Sequence, residues 1–239
     1  MALSPEQARG NNVYPQRHTI GETLSRLPGL YLRSIFTPSP RTFAREAEYA
    51  RWDAVWLQVA ILIIVPSLLG LFRGLFKDTS VGIAANSNVA FFTLSALTVG
   101  ASIGAFILKV IFVPLVFFTG MAIQVLVAKS FKGPQGSYLQ QCYTVLLYQV
   151  PLEIIGGIII FILVIFHVST FLTSPIVTIV LFCYGVWLNI QVVRGIHRLS
   201  PGRATVVVFV PYILGVLLVC GTSMALAHAI YNGLRNLLS

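Results

Sequence analysis

The feature that most restricts this chain is the length of the stretches without a charged side chain. They are Ala54–Phe72 (19 residues), Thr79–Leu108 (30), Val110–Ala128 (19), Gly133–Leu152 (20), Ile154–Val193 (40) and Ala204–Leu234 (31). A helix needs roughly 20 mostly apolar residues to cross about 30 Å of hydrocarbon. A soluble domain carries about 25% charged residues, whereas this chain of 239 residues carries 10% and is 56% hydrophobic. Too little polar surface is left to cover a soluble fold. The alternating, roughly ten-residue pattern of an outer-membrane barrel is absent. The expected fold class is therefore an all-α integral membrane protein.

Turn chemistry divides the runs. The 40-residue run breaks between His167 and Pro175, with Ser174 as an N-cap and Pro175 at the first helical position. Ser137 and Gln140 have the spacing of a capping box, so a helix starts there. Ser200, Pro201 and Gly202 mark a turn before the last hydrophobic stretch. The stretch from Thr79 to Ala128 holds either one span preceded by an interfacial segment, or two spans interrupted by Lys109.

The charge distribution chooses between these. The net charge is +9, from sixteen Lys and Arg against seven Asp and Glu. With five spans, twelve of the sixteen basic residues fall on one side, Arg73, Lys77 and Arg235 on the other, and Lys109 within a span. With six, the asymmetry largely vanishes. The positive-inside rule favours five spans, at about 54–72, 105–128, 138–166, 174–192 and 205–230. The expected orientation has the amino terminus in the cytoplasm and the carboxyl terminus outside or lumenal. Residues 231–239 form a short outer tail.

Residues 1–53 contain no apolar run like the core of a signal peptide. Ile20, Leu24, Leu27, Tyr31 and Ile35 follow helical spacing across Pro28, and a second short helix is expected from Pro40 to Trp52, capped by Ser39. Either these segments rest on the cytoplasmic headgroups as amphipathic helices, or the chain up to about Thr37 is a partly disordered tail.

The basic balance needs no nucleic-acid partner, because orientation accounts for it. Anionic headgroups at the cytoplasmic face are the expected lipid contact, worth about 1 kcal/mol per basic residue. Cys142, Cys183 and Cys220 lie singly inside spans, without metal-ligand spacing. No catalytic, cofactor-binding or metal-ligating constellation is recognisable. Gly70 with Gly74, Gly100 with Gly104, and Gly221 with Ala225 and Ala229 have the spacing that lets helices approach closely, and packing within the bundle is expected of them.

The intramembrane polar candidates are Glu153, Gln149 and Lys109. Glu153 lies about 24 Å along a helix that starts at Ser137, near mid-membrane. A carboxylate there is protonated, paired, or in a wet cavity. Gln149 shares its face one turn earlier, with Pro151 between them. Lys109 either snorkels to the outer interface or reaches down to Glu153. His228 near the outer end of the last helix and His167 in a turn have no ligand-spaced partners.

Three groups of residues then suggest a family. They are Ser39, Pro40, Arg41, Thr42 and Phe43 followed by Trp52; Gly133 through Tyr138, leading into Tyr148, Gln149, Val150 and Pro151; and His197 through Ala204, with Ser200 and Arg203. In order and spacing they resemble the Yip (Rab-interacting protein) domain family over about Ser39–Ala229. The resemblance implies a five-span membrane domain, here 39–230, with a cytoplasmic amino-terminal segment, 1–38. Eukaryotic relatives are associated with Golgi and endoplasmic-reticulum traffic and bind prenylated Rab GTPases, whereas prokaryotic members share the domain without an established activity. The short amino-terminal region and Glu153 depart from the trafficking members, so the chain looks more like a prokaryotic member in the plasma membrane. The function expected is a non-enzymatic scaffold that organises lipids or other membrane proteins. The alternatives are a small ion or proton channel or transporter subunit using Glu153, and an accessory subunit of a larger complex. Oligomeric state is left open.

Overall fold

In the computed structural model, residues 20–84, 88–131, 136–166, 168 and 170–238 are described. Their regular structure is helical. The elements are α1 (Ile20–Phe36), α2 (Pro40–Glu46) with a 3-10 turn after it (Ala47–Tyr49), α3 (Trp52–Ala84), α4 (Asn88–Ser130), α5 (Tyr138–Ile165), α6 (Thr170–His197) and α7 (Pro201–Leu238). Five helices are long and apolar enough to cross a membrane, over Trp52–Arg73, Ile103–Ser130, Tyr138–Ile165, Thr173–His197 and Pro201–Met224. The ambiguous stretch from Thr79 adds no sixth candidate among the described residues, since α4 runs unbroken through Lys109.

Local chemistry explains the helix starts. Ser39 accepts a hydrogen bond from the Thr42 amide, with Pro40 opening α2. Ser137 and Gln140 form the reciprocal capping box of α5. Two starts differ from expectation. α6 begins at Thr170, and Pro175 lies inside it. A proline so near a helix start removes only one ladder bond, so the helix continues backwards through it. α7 begins at Pro201, and the Ala204 amide bonds the Ser200 carbonyl, so the expected turn is the helix start itself.

α5 is the axis of the molecule. Every residue from Gln141 to Tyr148 is buried, because α1, α3, α4 and α6 and the turn after α2 surround it. Its glycines set the approach. A β-carbon at Gly156 would come within 2.8 Å of Leu181 on α6, and one at Gly157 within 2.9 Å of Leu69 on α3. The close approaches thus fall here and not at the expected glycines. Gly70, Gly100, Gly104 and Gly221 have open space where a side chain would start. Spacing alone marks a face that permits contact, and the neighbour's position decides whether contact occurs.

α1 and α2 are built into the bundle and do not simply rest on headgroups. Phe43 is fully buried, with its ring edge-on to Tyr148 at 6.5 Å between centroids. Leu27, Ile35 and Ala47 join the same core. A β-carbon at Gly195 on α6 would overlap the Pro40 carbonyl, so α2 lies directly on that glycine. Two hydrogen bonds fasten α1. The Tyr184 hydroxyl donates to the Ile35 carbonyl (2.6 Å), one of the terminal carbonyls that a helix leaves unbonded. The Ser34 hydroxyl donates to the Leu147 carbonyl at 2.7 Å and lies 2.9 Å from the Tyr31 carbonyl. Leu147 needs that donor, because the residue four positions on is Pro151, which has no amide hydrogen.

Ser34→Ala is expected to strand the Leu147 carbonyl and cost about 1–3 kcal/mol. The measurement is the thermal unfolding midpoint in detergent, with proteolytic release of α1 as a second readout. In a Pro151→Ala background the restored amide at position 151 takes that carbonyl. The same serine substitution should then cost clearly less, and equal costs in both backgrounds would refute the assignment.

Candidate functional site

The residues that carried the family resemblance converge on one end of the bundle. Pro40 covers Gly195, and Phe43 fills the core between α2 and α5. A β-carbon at Gly136 would overlap the Ile196 side chain, so the start of α5 lies against the end of α6. Ser137 caps α5, Pro151 exposes the carbonyl that Ser34 takes, and Ser200 starts α7. The Arg203 guanidinium lies over the Phe131 ring, 5.9 Å from its centroid. Arg198 turns the chain between α6 and α7 with a φ of 50°, in the left-handed region. Gly133 and His167 lie outside the described residues, as do the side chains of Lys77, His228 and Arg235.

Further along the bundle, α3 to α7 enclose a cleft of about 860 Å³. Glu153, Gln149 and Lys109 all line it, joined by Arg73, Asn189 and Gln124. α7 borders the cleft where its described residues pass from buried to exposed. Ala204, Val207 and Val208 are buried against Ala128, Val186 and Val193, while Ile213, Leu217 and Leu218 further on are exposed. Val116, Phe182 and Val216 line the cleft and are also exposed on the outer surface, so it opens sideways. Glu153 and Lys109 share the cleft without an ion pair: the described pairs are Arg33 with Glu46 (3.8 Å) and Arg51 with Asp53 (2.6 Å). Asn189 is 2% exposed, and its Oδ1 has no hydrogen-bond partner.

At the packed end of the cleft lies a chain of polar side chains that the sequence reading missed. His197 Nε2 is 2.6 Å from Gln141 Oε1, and Gln141 Nε2 donates to Gln124 Oε1 at 2.6 Å. Because the Gln141 oxygen accepts, His197 donates from Nε2, and Nδ1 is its other ring nitrogen. That Nδ1 has no partner. All three side chains are nearly or fully buried. Their sequence positions, at the ends of α4 and α6 and the start of α5, read as interfacial ones. Their burial is a product of the packing of α4, α5 and α6, with α2 lying on α6. Outside the spans, burial pushes the Tyr31 hydroxyl well above its ordinary range, with Tyr143 adding to the effect.

Gln141→Leu preserves approximate volume and removes both hydrogen bonds. It should leave Gln124 and His197 buried with unmet polar atoms and cost about 2–6 kcal/mol. A fall in the detergent unfolding midpoint checks this; an unchanged midpoint would show that the polar chain is dispensable.

A family model of the Yip1 domain matches residues 33–222. No curated protein and no solved structure matches the chain. The matched stretch runs from α1 into α7 and takes in four candidate spans whole and most of the fifth. The chain is thus an integral multi-pass membrane protein that belongs to the Yip1 domain family.

Proposed function

We propose that this protein is a non-enzymatic membrane organiser whose amino-terminal helices form a rigid, basic docking platform for anionic lipid and for partner membrane proteins. The observation that carries the reading is the clamp of α1 and α2 onto the end of α5 and α6 through Ser34, Tyr184 and Phe43. Loosely tethered amphipathic helices would present no fixed surface. Here the fixed surface exposes Arg33, Arg41 and Arg45, with Lys129, Arg198 and Arg203 at the same end. Leu32, Phe36, Tyr49 and Trp52 are exposed among them. Basic heads above apolar side chains suit a layer of headgroups. Trp52 and Trp56 around Phe118 supply the aromatic belt of a membrane interface. The positive-inside rule turns this end to the cytoplasm, with the carboxyl terminus on the opposite side.

Replacing Arg41, Arg45 and Arg198 together by Gln removes three exposed charges at about 1 kcal/mol each. Retention of anionic over neutral lipid on the purified protein should fall by about a hundredfold. Proteins that copurify from native membranes in mild detergent should be lost in parallel. Unchanged lipid retention together with an unchanged partner list would overturn the reading. A stable stoichiometric partner that survives the substitutions would favour an accessory subunit instead.

The cleft supports a second reading, a proton or ion path that uses Glu153. Against an open pore stands the packed chain of Gln124, Gln141 and His197 at the cleft's closed end. If the path operates, proteoliposomes should show a pH-dependent flux that Glu153→Gln abolishes. Equal flux in wild type, variant and empty vesicles would exclude it.

A further inference from the structure

The cleft carries an unbalanced set of polar groups. Glu153 brings a carboxylate with no cation paired to it, and Asn189 brings a buried acceptor, Oδ1, with no donor. Both ask for hydrogen-bond donors, and Glu153 asks for positive charge as well. Arg73 and Lys109 line the same cleft and ask for an anion. Arg73 and Glu153 are separated along the bundle. Leu69 lies against Gly157, and α3 and α5 run in parallel. Arg73 is four residues beyond Leu69 and Glu153 four before Gly157, so their α-carbons are about 12 Å apart along the axis at 1.5 Å per residue. Long side chains reaching inward from both levels leave a gap the size of a small zwitterionic group. The cleft is mostly apolar and opens sideways onto the exposed surface of α4, α6 and α7, so its occupant can enter from the bilayer.

We propose that the cleft binds the headgroup of an aminophospholipid, with the phosphate at Arg73 and Lys109 and the primary ammonium at Glu153 and Asn189. Each charge then faces its opposite: the phosphate, with one negative charge, faces the two cations, and the ammonium faces the carboxylate. The acyl chains stay in the bilayer outside the lateral opening. A choline headgroup keeps the phosphate and the charge but has no N–H to donate to Asn189. A glycerol headgroup donates hydrogen bonds but brings no cation to Glu153. This site is separate from the basic platform and does not depend on it.

The test is native mass spectrometry of the detergent-purified protein with ethanolamine, choline and glycerol phospholipids of identical acyl chains. The ethanolamine lipid is expected to stay bound one to one, at least about tenfold more than either competitor. Glu153→Gln should remove most of that preference, and Arg73→Ala with Lys109→Ala should weaken all three lipids. Arg41→Gln with Arg45→Gln should leave the preference intact. Should the charge variants fail to fold, Gly70→Leu decides. Gly70 lines the cleft between the levels of Glu153 and Arg73, with open space where its side chain would start, so leucine there takes the headgroup's place and should expel the lipid without lowering the unfolding midpoint. Equal retention of the three lipids, a preference for the glycerol lipid, or an unchanged preference in Glu153→Gln would overturn the proposal. So would undiminished lipid binding in a folded Gly70→Leu protein.

Discussion

A proline without an amide hydrogen and a serine on a distant helix hold the amino-terminal helices to the membrane bundle. Pro151 leaves the Leu147 carbonyl without its ladder partner in the buried stretch of α5. In a membrane bundle such a carbonyl has no water to turn to, and leaving it bare costs several kcal/mol. Ser34 supplies the hydrogen bond from α1, 113 residues earlier in the chain. The position of α1 and the burial of Phe43 on α2 follow from that docking. What would otherwise be a kink in one helix becomes the joint between the amino-terminal segment and the membrane domain.

The two ends of the bundle differ in how they are packed. At the platform end, glycines at 136 and 195 let backbones meet side chains directly, and buried polar groups bond one another. Toward the other end Ile213, Leu217 and Leu218 of α7 are exposed, and the Asn189 oxygen at the cleft lacks a partner. One end is thus specified tightly by packing and hydrogen bonding. The other keeps unmet electrostatic demand, which is where a bound molecule changes the energetics most.

Much of the frame was legible. The capping box of Ser137 and Gln140 and the Ser39 cap follow from side-chain chemistry acting over three residues, and such local effects survive in any tertiary context. The five apolar helices follow from runs of uncharged residues. The start of α6 was misplaced because Pro175 was read as its first residue, and that of α7 because Ser200, Pro201 and Gly202 were read as a turn. The glycine pairs misled for a different reason: they mark where contact is allowed, and at Gly70, Gly100, Gly104 and Gly221 no neighbour takes the space. Of the site, Glu153, Gln149 and Lys109 stood out as polar residues in apolar runs, and the structure gathers them at one cleft. Arg73, Asn189 and Gln124 did not stand out, since each sits near a span end where polar residues are ordinary.

Sequence by itself determined the solvent this chain lives in, the number of helices that cross it and the places where several of them begin. Those properties depend on side-chain transfer energies and on contacts within one helical turn, which need no knowledge of neighbours. The tertiary structure alone decided which polar groups are satisfied. Gln141 and Asn189 are both amides in apolar surroundings, yet Gln141 bonds on both sides and the Asn189 oxygen bonds nothing. The difference lies in how the helices pack around each, which is settled by contacts between residues far apart in the chain.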